Sequence, residues 1–94
     1  MAQNQQTLKC EPFVWTQITN ADVSNITFQV LSGAAMFYFT VDETLPTADW
    51  GITYQQGYGE LNQAVSSLTN LAGADRVWCK PFTGRAAHVY VDHA

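Results

Sequence analysis

The stretch Val77–Ala94, VWCKPFTGRAAHVYVDHA, holds a cysteine, two histidines and an aspartate. A thiol beside an imidazole, itself oriented by a carboxylate, is a nucleophilic set. Two imidazoles and a carboxylate are also metal ligands. Whether either chemistry is available depends on which side chains the backbone brings to one face.

Both arms of the stretch alternate with the period of strands. A loop at Pro81–Arg85 pairs them as a hairpin, in which Lys80 faces Ala86, Trp78 faces His88 and Arg76 faces Tyr90. One face then carries Val77, Cys79, Ala87, Val89 and Val91. The other carries Arg76, Trp78, His88, Tyr90 and Asp92. A slip of one residue would mix the two sets, which disfavours it. The first face reads as core. The second, with aromatic bodies and polar tips, reads as an intersubunit face built on Arg76, Trp78, His88 and Tyr90.

This sorting puts Cys79 and His88 on opposite sides of the sheet, and the strand period turns Asp92 and His93 apart. The expectation is no catalytic residue, with Cys79 a small buried hydrophobe. Zinc wants four ligands, commonly in close pairs. There is no CxxC or HxxxH, and His88 with Asp92 supplies two ligands on one face. A metal shared between the His88 side chains of two subunits is the one arrangement left open, and the expectation is no metal and no cofactor. Cys10 and Cys79 are the two cysteines. Without an export signal they read as reduced and buried. A bridge within or between chains stays open, because sequence does not fix their separation.

Other candidates are weaker. GYGE at Gly57–Glu60 lacks the lysine and strong helix start of a phosphate cradle. Asp42, Glu43, Asp49, Glu60 and Asp75 fall in loops or at strand ends, where acids are solvated. Trp50, Tyr54 and Tyr58 form a possible ligand surface, since amphipathic aromatics suit sugar binding.

The chain has 94 residues and reads as one β domain over residues 9–94 after a flexible arm at 1–8. Charged residues make up 13%, against about 25% in an ordinary soluble domain. Gln, Asn, Ser and Thr fill the shortfall, which suits a surface packed among neighbours, because a desolvated charge is costly and an amide can be paired. The net charge of −4 and four scattered cations (Lys9, Arg76, Lys80 and Arg85) argue against nucleic acid. MAQNQQTLK has no apolar export core, and no run approaches the ~20 apolar residues of a membrane helix. The expected site of synthesis is a cytoplasm, so NIT at Asn25 reads as strand sequence rather than a glycosylation site.

The elements that position these residues are mostly strands. FVWTQIT and NITFQVL are rich in β-branched and aromatic residues. Ile26, Phe28 and Val30 share a face. AAMFYFTV is apolar on both faces and reads as a central strand covered on two sides. DETLPTADWG is a loop, and ITYQQGYGEL a strand bent at Gly57 and Gly59. Leu61, Val65, Leu68 and Leu71 give the one helical spacing, ended by Gly73, and predict a short helix or 3₁₀ turn near Ser67–Leu71. The fold class is mostly β: an antiparallel β-sandwich or small β-barrel of about 6–7 strands.

The runs FVWTQITNADVSNITFQVLSGAAMFYFTVDE, GITYQQGYGELNQ and GADRVWCKPFTGRAAHVYVDHA together resemble small virion proteins of tailed bacteriophages. The resemblance spans most of the chain and rests on texture and segment order. It implies a β-rich, non-enzymatic structural protein of the head, neck or tail, located in the virion and assembled in the host cytoplasm. The expected function is a capsid decoration or cement protein. The expected partners are further copies of itself, as in a trimer, and other virion proteins such as the major capsid protein. The alternative is a tail-tip, neck or spike module that binds a host glycan through Trp50, Tyr54 and Tyr58.

Overall fold

The computed structural model describes residues 4–19 and 23–93. The chain forms eight strands: β1 (Asn4–Cys10), β2 (Thr16–Gln17), β3 (Asn25–Ser32), β4 (Ala35–Thr40), β5 (Ile52–Tyr54), β6 (Gly59–Ala64), β7 (Arg76–Pro81) and β8 (Ala87–His93). One helical turn, α1 (Val65–Leu68), follows β6. Sheet I has the order β1-β8-β3-β6 and sheet II the order β2-β7-β4-β5, with every pair antiparallel. The result is a small β-sandwich, as the alternation predicts.

The core is made of the inward faces of the four central strands. Ile26, Phe28 and Val30 of β3 and Ala87, Val89 and Val91 of β8 point inward from sheet I. Ala35, Phe37 and Phe39 of β4 and Val77 and Cys79 of β7 point inward from sheet II. Phe28 and Phe37 meet across the gap with ring centroids 4.3 Å apart, and Tyr54 stands edge-on to both. Burying a side chain of this size contributes roughly 1.5–3 kcal/mol.

Three expectations are corrected. Residues 4–8 of the expected arm are strand: β1 pairs with β8 over its whole length, from Asn4↔His93 to Cys10↔Ala87. Polar NQQTLKC gives no apolar alternation because an edge strand needs little buried surface. Residues 1–3 lie outside the described residues. The helix starts earlier than expected, at Val65, and is one turn long; residues 61–64, part of the helical spacing, are strand. Third, β7 and β8 are not a hairpin. They belong to different sheets, and residues 82–86 arch from one to the other. The expected inward set is nonetheless buried, because an arch and a hairpin place the same alternate residues toward the core.

Sheet II is covered on its outer side too. Trp15 lies on Tyr38 (ring centroids 5.6 Å), its Nε1 donates to the Ala48 carbonyl (2.8 Å), and Lys80 Nζ sits 5.4 Å from its ring centre. The 41–51 segment is thereby tied over β4 and β7. Gly51 permits this closeness, since a Cβ there would overlap the Phe37 carbonyl. The second cover explains why β4 is buried at five of its six positions, as its two apolar faces predict.

Candidate functional site

The residues expected to form one interface are divided between opposite outer faces. Arg76 and Trp78 lie on the outside of sheet II, His88 and Tyr90 on the outside of sheet I. Trp78 is 7% exposed, and its Nε1 donates to Thr40 Oγ1 at 2.8 Å in a buried hydrogen bond. Arg76 is also buried, with Nη1 paired to Asp75 Oδ1 at 3.1 Å. Both have little surface left to offer a partner, because the arch replaces the expected hairpin and the 41–51 segment covers their face. His88 is exposed and shares a 3.0 Å hydrogen bond with Ser32 Oγ. It is far from a thiol in the sense that matters, since Cys79 points into the core.

The expected ligand surface is divided as well. Trp50 and Tyr58 are exposed (67% and 68%) but line separate grooves. Tyr54 is turned toward the core and donates to Glu60 Oε2 at 3.0 Å. Burial, reinforced by that carboxylate, pushes its pKa up to about 12. The three rings therefore do not make one platform.

Two of the acids, Asp75 and Glu60, have structural partners. Asp75 accepts the Asp42 backbone N–H (2.9 Å) besides pairing with Arg76, and Glu60 holds Tyr54. Among the described residues no group of three or more His, Cys, Asp or Glu side chains could hold a metal ion. Among the described residues no helix is long and apolar enough to cross a membrane.

What the structure does bring together is a set of exposed apolar side chains. Phe13, Trp50 and Phe82 border a groove of about 240 Å³ with Met36 and Lys80 on its floor. Trp50 and Phe82 lie 6.2 Å apart, and Phe13 reaches toward Gly84. Trp50 is also the wall of a second groove, of about 600 Å³, that continues past Ile52 to Leu71. Tyr38 and Leu71 link this to a third, of about 380 Å³, beside Val41 and Leu45. Seven of the large apolar residues left exposed thus border one run of grooves on the outer side of sheet II and its β5 margin. The described outer side of sheet I presents Thr7, Lys9, Thr27, Gln29, His88 and Asp92, together with Tyr90 and a groove of about 410 Å³ bordered by exposed Tyr58 and Leu61.

Phe13 shows that this exposure is held in place. It is 77% exposed and has φ of 67°, an uncommon conformation for a bulky residue and one found at binding sites. It sits in the 11–15 arch, where the chain leaves sheet I for sheet II. Sequence reading missed Phe13 because FVWTQIT reads as strand from its first residue, whereas only Thr16–Gln17 is strand, and missed Phe82 because it stands beside a proline in a loop. Comparisons with protein families, with characterised proteins and with solved structures find no match for the chain.

Among the described residues His93 is a buried ring with no hydrogen-bond partner. His93, on the inward side of β8, is 2% exposed, and neither ring nitrogen has a hydrogen bond. Burial lowers its pKa, while the charge of neighbouring Asp92 works weakly in the other direction. A histidine whose folded pKa lies below its unfolded value stabilises the fold fully above about pH 6.5. That contribution is lost as pH falls through the folded value, because the unfolded chain takes up the proton first. The melting temperature should therefore fall between pH 7.5 and pH 5, and fall less in His93→Phe. Parallel pH profiles by calorimetry check this; identical slopes would remove His93 from the account.

Proposed function

We propose that the protein is a non-enzymatic structural component of a tailed-phage virion. In this reading it is a decoration or cement protein that self-associates through the apolar side of sheet II and adds to the capsid as an oligomer. One observation carries the reading. The exposed apolar side chains are concentrated along one run of grooves, and large contiguous apolar surfaces of this kind mark association sites. The two larger dimensions of the molecule, 31 and 26 Å, bound a face of about 800 Å², the area each partner contributes to a standard interface. The low charge density agrees with such a contact, since few ions need be desolvated.

Its mechanism is area burial, at roughly 25 cal/mol per Å² before the costs of association. Repetition on a symmetric shell would multiply weak contacts into firm attachment. The anchors are Phe13, Trp50 and Phe82, since aromatic side chains in pockets carry most interface energy.

Sedimentation velocity over a range of concentrations tests the self-association. The wild type is expected to form a defined oligomer. Trp50→Gln with Phe82→Gln should shift it to monomer, with association weakened at least roughly 30-fold for a loss of about 2 kcal/mol, and with the melting temperature little changed. A wild type that stays monomeric at every concentration overturns the self-assembly reading. Antibody labelling of phage particles raised from the strain that carries the gene tests the virion assignment: label on the head supports it, and unlabelled particles overturn it.

The alternative of a glycan-binding tail module through Trp50, Tyr54 and Tyr58 gains nothing from the geometry, because those rings are divided among two grooves and the core.

A further inference from the structure

Cys10 and Cys79 come from opposite sheets and meet in the core. Cys10 ends β1 and faces Ala87 across sheet I. Cys79 faces Thr16 across sheet II. The 11–15 segment carries the chain from Cys10 over to Thr16, and the 82–86 segment carries it from β7 back to Ala87. Two arches therefore lie side by side at one end of the sandwich, with Cys10 leading into one and Cys79 into the other. Both cysteines are fully buried in the same core cluster, and β1 and β7 approach within 8 Å between Cα atoms.

We propose that Cys10 and Cys79 are a latent inter-sheet disulfide, closed when the protein meets a small-molecule disulfide oxidant and open in reducing surroundings. The reduced pair is protected in the folded state. A hydrogen bond with the Cys10 side chain, together with burial, holds the Cys79 thiol protonated far above the ordinary range. A protonated, inaccessible thiol does not attack a disulfide. Opening must begin at β1, which is an edge strand bonded only to β8.

When β1 lifts, Cys10 loses its proton to water and attacks one sulfur of the oxidant. A mixed disulfide forms, and the other half of the oxidant leaves as a thiolate that takes a proton. Before β1 closes, while water still reaches the core, Cys79 gives up its proton to water and attacks Cys10 Sγ. The second half then leaves with the bonding electron pair and a proton. Two protein thiols and one disulfide become one protein disulfide and two small thiols.

The bridge would fasten the edge of sheet I to the centre of sheet II. It would also rank as a stabilising modification, since the loop it closes, from Cys10 to Cys79, is long. For a protein made under reducing conditions, it would act as a clasp that sets after release.

The test incubates the folded wild type with oxidised glutathione until the free-thiol count stops changing. Intact mass, thiol titration after denaturation, and peptide mapping without reductant are then read. The expected result is a monomer lighter by two hydrogens, with no free thiol and a peptide joining Cys10 to Cys79. Its melting temperature should rise by on the order of 10 °C and return on reduction. Cys79→Ser should stop at one glutathione adduct on Cys10. Separate adducts on both wild-type cysteines, chains linked to each other, unreacted thiols, or a bridged form that melts lower than the reduced one would each overturn the proposal.

Discussion

Trp78→Ala is expected to cost about 3–5 kcal/mol of stability, as for other buried large aromatics, and to leave self-association unchanged. The indole lies between β2 and β4, opposite Gln17 on one side and Tyr38 on the other. Its Nε1 donates to Thr40 Oγ1, and the Thr40 hydroxyl donates in turn to the Asp42 carbonyl (3.1 Å). Truncation opens a cavity under the 41–51 segment and leaves the threonine oxygen without its donor. Both effects add to the loss. Trp78→Phe should recover most of the packing and forfeit about 1 kcal/mol for the missing N–H. Urea unfolding gives the stabilities, and sedimentation gives the association. If Trp78→Ala melts like the wild type but no longer self-associates, Trp78 is an interface residue and the location of the contact surface argued above is wrong.

Gly59→Ala should be comparably damaging, at about 3 kcal/mol or more, for a different reason. A Cβ at this position would overlap the Phe28 carbonyl. That obstacle is backbone in a central strand, so no rotamer change relieves it. β6 is the edge of sheet I, held by pairs that include Gln29↔Gly59 and Phe28↔Glu60. Forcing it outward detaches the strand that also carries Glu60, the acceptor for Tyr54. Gly57 offers a control. A Cβ there meets nothing, but φ is 87°, so Gly57→Ala should cost only about 1–2 kcal/mol. Hydrogen exchange separates the two: Gly59→Ala should strip protection from β6, and Gly57→Ala should leave it. Equal, small effects would mean that β6 can shift at little cost.

Much of the sandwich is legible in the alternation of apolar residues. Ile26, Phe28 and Val30, then Phe37 and Phe39, then Val77 and Cys79, then Val89 and Val91 read as inward sets, and they are the core. Such a pattern states which side of a strand is buried but not which strand lies beside it. For that reason the path from Pro81 to Ala86 reads equally well as a hairpin turn or as an arch. The candidate surface suffered most from this ambiguity. It depended on which outer face each strand shares, so Trp78 and His88 were joined where the fold separates them. β1 was hidden because an edge strand can be built from NQQTLKC without an apolar face. The second half of β6 was hidden because Leu61, Val65 and Leu68 mimic a helical stripe, although Leu61 points to solvent and is 76% exposed.

Seven connections join the eight strands, and only β4 to β5 stays within one sheet. β8, made last, sits between β1 and β3, and β7 sits between β2 and β4. A nascent chain thus holds its first six strands without the two that they must flank. Sheet II cannot be completed until residues 76–81, nor sheet I until residues 87–93, have left the ribosome. Acquisition of structure should therefore be a late, all-at-once event during synthesis, slowed by its distant pairings, rather than a growth from the amino end.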